Sequence, residues 1–152
     1  MVQEIYQIGK CDTLDDLKDQ LNSVLFEMSK RFIDVVGFHD IINKDGFDFT
    51  LDDFTTNGEW QVMDISNIVP EEAKAVIFGL TITDGAAGNY FEIRSYKSDS
   101  NYNTFKATTN VVDQPIGVEG FITLSNGRRF EYRGTNTTFS AINLILRGYW
   151  IW

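Results

Sequence analysis

The sequence predicts a mainly β protein, an antiparallel β-sandwich of jelly-roll-like type preceded by a short N-terminal amphipathic helix. Near the N-terminus, apolar residues recur at steps averaging about 3.6, the period of a helix. From Trp60 onward they alternate with period two, the period of a half-buried strand. Turns rich in Gly and Asn separate roughly seven such segments, the spacing of an antiparallel sandwich. Three stretches follow: a helical oligomerisation or anchoring segment at 1–37, an acidic connector at 38–59 and the β-sandwich domain at 60–152.

Thr13 opens the helix, and Asp16 three residues on completes a capping-box spacing. Asp12, Asp15 and Asp16 suit the positive end of the helix dipole, and Gly37 supplies the stop. Leu14, Leu17, Leu21, Val24 and Met28 fill a and d positions, while Leu25 and Phe32 widen the stripe. Arg31 breaks the next d position, so about two heptads are present, fewer than a coiled coil uses. Two packings fit. The stripe lies on its own domain, or it meets copies of itself in a short bundle, which would make these seven residues an oligomer interface.

In the connector, Asp45-Gly46 and Asn57-Gly58 read as turns, and Phe47, Phe49 and Leu51 suggest a short strand. An EF-hand register on Asn43, Asp45 and Gly46 puts Ile41 at its first position and Asp52 at its last, so it fails at both ends. His39-Asp40 is the only His–acid pair, and no Gly-x-Ser-x-Gly elbow accompanies it. Cys11 with His39 has no local signature of a nucleophilic pair, and one Cys excludes both a disulfide framework and a multi-Cys zinc site within one chain. No catalytic residue, cofactor or metal is expected.

In the β domain, Val76, Phe78, Leu80 and Ile82 mark one face of a core strand, and Phe91 and Ile93 mark the next. Strands are expected near 105–110 and 117–124. Asn126-Gly127 inside 122–132 predicts a type I′ hairpin. Ile142, Leu144 and Leu146 lie on one face of a last strand, in which Gly148 marks a bulge or a close backbone approach. Tyr149, Trp150 and Trp152 then belong to the core, to a subunit contact or to a sugar-stacking platform.

Composition narrows the function. The chain has 152 residues, a formal net charge of −9 and 43% hydrophobic residues, which excludes general disorder and a non-specific nucleic-acid binder. Residues 1–72 carry 5 basic and 16 acidic side chains against 8 and 6 in 73–152, so the acidity is concentrated in the first half. No apolar run is long enough for a membrane span, and the N-terminus lacks the pattern of a signal peptide. The sequon Asn136-Thr137-Thr138 therefore reads as a polar loop.

The layout resembles small virion proteins of tailed bacteriophages, of head-fibre, decoration or tail-appendage type. The resemblance rests on Leu14-Asp15-Asp16-Leu17-Lys18-Asp19-Gln20-Leu21-Asn22, then Arg128-Arg129-Phe130-Glu131-Tyr132, then the run from Ile142 to Gly148-Tyr149-Trp150. It implies a non-enzymatic structural protein, a homo-oligomer with a trimer favoured, assembled in the host bacterial cytoplasm into the virion. The implied partners are other virion proteins, with neither nucleic acid nor membrane. The alternative is a carbohydrate-binding sandwich for host-surface recognition, with Trp60, Tyr96 and Tyr102 as candidate glycan-binding residues.

Overall fold

The computed structural model describes residues 13–35, 37–41, 45–99, 104–124, 127–135 and 138–152, with helix side chains through Met28. The chain divides into two compact units between Gly37 and Phe38.

The first unit contains helix α1 (Leu14–Val35). Its start is the capping box expected from Thr13. The Asp16 N–H donates to Thr13 Oγ1 at 3.1 Å, and the Thr13 N–H donates to Asp16 Oδ2 at 3.1 Å. Two donors that the first turn leaves unpaired are thereby satisfied. Gly37, at φ +144°, stands where the chain leaves the helix, a conformation that side-chain-bearing residues avoid.

The second unit is a two-sheet sandwich with nine strands among the described residues: β1 (Gly37–Asp40), β2 (Phe49–Thr50), β3 (Gln61–Asp64), β4 (Ala75–Thr83), β5 (Tyr90–Ser95), β6 (Thr104–Thr108), β7 (Ile116–Thr123), β8 (Arg129–Gly134) and β9 (Ala141–Ile151). Strands β2 to β5 pair antiparallel with β9 to β6 in reverse order, as one long ribbon. Pairing of β4 with β9 and of β5 with β8 rolls the ribbon into two sheets. One sheet runs β1-β9-β4-β7 with β2 also on β9; the other runs β3-β8-β5-β6. This is the jelly-roll order, so the predicted fold class holds. The long β9 has room for two neighbours on one side: Phe49 pairs with Leu144, and farther along the Ile41 N–H donates to the Arg147 carbonyl at 2.9 Å.

The alternation read from the sequence places the core. Val76, Phe78, Leu80 and Ile82 of β4, Phe91 and Ile93 of β5, Phe130 of β8, and Ile142, Leu144 and Leu146 of β9 are all buried between the sheets. Each large side chain removed from water there contributes about 1.5–3 kcal/mol.

Two expectations fail. Residues 122–132 do not form a hairpin, because β7 pairs with β4 while β8 pairs with β3 and β5 in the opposite sheet. Ile122 and Phe130 enter one core from opposite sides, which a two-residue hairpin could not achieve. Gly127 (φ +97°) and Arg128 (φ +53°) turn the corner, and the Arg128 guanidinium fixes it by donating to the Ser66 and Val69 carbonyls at 2.9 and 3.1 Å. Asn126 lies outside the described residues.

Residues 38–59, expected as a connector separate from the sandwich, instead supply β1, β2 and a 3-10 turn (Leu51–Asp53). Phe54 then enters the core, with its ring 5.0 Å from both Phe91 and Tyr132. Phe49, Leu51 and Phe54 provide inward positions, while Asp45, Asp52 and Asp53 remain in solvent. Asp48 accepts the Leu146 N–H at 2.6 Å and ties the segment to β9. The Asn57-Gly58 turn is present: Asn57 Oδ1 accepts the Glu59 N–H at 3.0 Å, and Gly58 has φ +84°.

Gly148 fulfils both expectations attached to it. Ile77 pairs with Gly148 but Phe78 pairs with Leu146, so Arg147 is the extra residue of a bulge. A Cβ on Gly148 would lie 2.7 Å from the His39 carbonyl oxygen and would run into the Phe38 ring. Gly148→Ala is therefore expected to cost about 1–3 kcal/mol by overpacking, read as a lower urea midpoint with an unchanged m value.

Candidate functional site

The residues singled out by the sequence fall on three separate surfaces. The first is the stripe on α1. Leu14, Leu17, Leu21, Leu25 and Met28 are each between 40% and 68% exposed. Val24 is half-buried, and the Phe32 side chain lies outside the described residues. Phe26, beside the stripe, is also exposed. These residues follow i, i+3 and i+4 spacing and so share one side of the helix.

The second surface is the outer face of the five-stranded sheet. Residues of β4 that alternate with the core, Ala75 and Ile77, face outward. Directly across from them stand Trp150 on β9 and Phe121 on β7. With Trp152 they line an open apolar hollow of about 530 Å³. Gly148, beside Ile77, lets Phe38 lie close to the strand, where its ring supports Trp150 at a centroid distance of 5.5 Å. Phe38, Phe121, Trp150 and Trp152 are all exposed. Tyr149 belongs elsewhere: it points towards the core, half-buried, and stacks on His39 at 5.2 Å. The final aromatics are thus divided by strand alternation, Tyr149 inward and the two tryptophans outward.

Sequence reasoning missed Phe38, Ile77 and Phe121. For Phe121 a signal existed, since Ile116, Val118 and Ile122 mark the inward side of β7 and leave this aromatic out of phase. Next to the hollow the bulged Arg147 lies over Gly79, where a Cβ would come within 3.2 Å of its guanidinium, and reaches Glu119 at 2.7 Å.

The third surface is the outer face of the four-stranded sheet, which carries Trp60. Glu92 stands opposite Arg133, and Arg94 opposite Glu131, in the β5–β8 register. Arg94 Nε donates to Glu131 at 2.6 Å, and Arg133 Nε donates to Glu92 at 2.7 Å. Both carboxylates are buried, and each guanidinium also meets the Trp60 ring, Arg94 at 3.8 Å and Arg133 at 4.7 Å. The cations neutralise the acids and stack on the indole, so indole surface that a sugar would need is already covered. Tyr96 has the Lys97 ammonium 5.3 Å from its ring centre, and Tyr102 lies outside the described residues. Arg133→Ala would leave the Glu92 carboxylate buried without its main partner. Because Arg133 is itself 31% exposed, the expected loss is about 2–3 kcal/mol, somewhat less than the roughly 3–5 kcal/mol for breaking a fully buried pair, measured by urea denaturation. At the edge of this face, the Ser66 hydroxyl and N–H, and then Arg129, hold the Asp64 carboxyl at about 2, below its ordinary 3.8.

His39 and Asp40 alternate inward and outward on β1, so the two side chains do not face each other. His39 Nε2 is buried and has no hydrogen-bond partner among the described residues. Cys11 and the Asn136-Thr137 part of the sequon lie outside the described residues. Among the described residues no three His, Cys, Asp or Glu side chains converge as metal ligands. No helix among them is long and apolar enough to cross a membrane. Compared with models of known protein families and with curated proteins, the chain matches none.

Proposed function

We propose that the chain is a non-enzymatic structural protein of a tailed-phage virion, assembled as a homo-oligomer, with a trimer favoured, through the stripe of α1. The observation that carries the reading is the exposure of Leu14, Leu17, Leu21, Leu25 and Met28 along one side of a capped helix. Isolated amphipathic helices gain most of their stability by burying such a face. The sandwich has a core of its own, drawn from both sheets, and does not call on those leucines to fill it. Association of the helices gives the stripe a partner. Jelly rolls serve in viral capsids, and they serve in lectins too, so the fold by itself does not decide between those roles.

The virion assignment is tested by immunogold labelling of virus particles from the source culture with antibody raised against the chain. Label at one fixed position on the particle is the expected result. Particles that bind no antibody, while the chain stays in the soluble fraction, would contradict it.

A further inference from the structure

We infer that the outer face of the five-stranded sheet, centred on the hollow between Phe121 and Trp150, is a second self-association surface that seats another copy of this chain. The inference rests on the oligomeric reading above and adds a contact between sandwiches to the contact between helices.

The chemistry of the hollow selects its occupant. Ala75 and Ile77 form the floor, and Phe121, Trp150 and Trp152 form the walls, where the two indole N–H donors are the only polar side-chain groups of the five residues. A sugar needs several hydrogen-bonding groups beside an aromatic face, and none of these five side chains has a carboxylate, amide or hydroxyl to offer. A lipid surface rich in anionic headgroups would repel a chain of net charge −9. Self-repulsion also opposes contact between copies, and here the face is locally balanced. Arg147 and Glu119 stand beside the hollow within 2.7 Å of each other, with exposed Asp40 next to Phe38 and exposed Lys74 next to Ala75, two charges of each sign. An apolar centre with a paired polar rim is the anatomy of a protein interface.

Area gives the second argument. Four aromatic side chains, each about half exposed, offer roughly 400 Å² of surface. A stable interface takes about 800 Å² from each partner, so the face alone falls short. The helix stripe, five large side chains also about half exposed, offers a comparable amount. Neither surface suffices by itself, and the two together reach what a lasting assembly between copies requires.

The test uses the full chain in a Trp60→Phe background, so that Trp150 and Trp152 are the only tryptophans. Its mass is followed against concentration by light scattering, with acrylamide quenching recorded on the same samples. The expected result is tryptophan fluorescence shielded in the assembled form, with Phe121→Asp raising the concentration for assembly by at least about tenfold. Phe121 is 59% exposed, so that variant keeps its fold, checked by circular dichroism. An oligomer whose tryptophans remain open to acrylamide, and whose assembly ignores Phe121→Asp, overturns this inference and leaves the helix contact standing. A monomer at every concentration overturns both.

Discussion

Replacing Leu21 and Met28 together by Asp is expected to convert the proposed oligomer into a monomer. Both residues sit in the exposed stripe, 45% and 52% accessible, so neither is needed to fill a core within the described helix. In a bundle each would be pressed against its symmetry mates. Every copy would then bring two carboxylates into an apolar seam, and like charges would meet at the axis. Burying an unpaired charge costs several kcal/mol, and a trimer would incur that cost for every copy. No such penalty applies in the monomer, where both positions face water. The measurement is solution mass by light scattering, with thermal melting as the control for an intact sandwich. An unchanged mass would show that the stripe is not a self-association surface.

Phe91→Ala is expected to produce the largest loss of stability by a single substitution in the sandwich. The side chain is fully buried at the centre of an aromatic cluster. Tyr132 stacks on it at 5.5 Å with the rings 12° from parallel, and Phe54 meets its face edge-on at 5.0 Å. The Tyr132 hydroxyl in turn accepts the Thr55 N–H at 3.0 Å, so the cluster also fixes the chain entering β3. Truncation removes the transfer energy of a phenyl ring and leaves a cavity that rigid neighbouring rings cannot close. The cost is about 3–5 kcal/mol, a third or more of the total for many domains. The urea midpoint should fall with little change in slope, and the melting temperature should drop by roughly 10 °C. A loss below about 1 kcal/mol would mean that Phe91 is not packed as described.

What was legible in the sequence was local or periodic. Thr13 and Asp16 announced a cap that forms as spaced, and Val76 to Ile82 announced the inward face of β4. What was not legible depended on partners distant in sequence. Asn126-Gly127 carries strong hairpin chemistry, yet the flanking segments enter different sheets, because Phe130 is claimed by the sheet of β5 and Ile122 by that of β4. The many aspartates of 38–59 suggested a solvated tether. Phe49, Leu51 and Phe54 outweigh them, since the acids can remain in water while the rings are buried. The motifs Glu92-x-Arg94 and Glu131-x-Arg133 become a crossed ladder only when antiparallel register sets each acid opposite the other strand's arginine. For the same reason Trp60 read as a free aromatic platform, whereas its ring is stacked by Arg94 and Arg133. Of the candidate oligomer surface, the helix stripe was visible as periodicity. The sheet face was visible only in its tryptophans, because Phe38, Ile77 and Phe121 join them through pairing of three other strands with β9 and β4.

We propose that the chain assembles with copies of itself. Light scattering of the purified full-length chain over a wide concentration range tests it most directly. The expected result is a discrete species at three times the 17.4 kDa of one chain, stable on dilution and dissociated by the substitutions at Leu21 and Met28. A single species of 17.4 kDa at every concentration would contradict it.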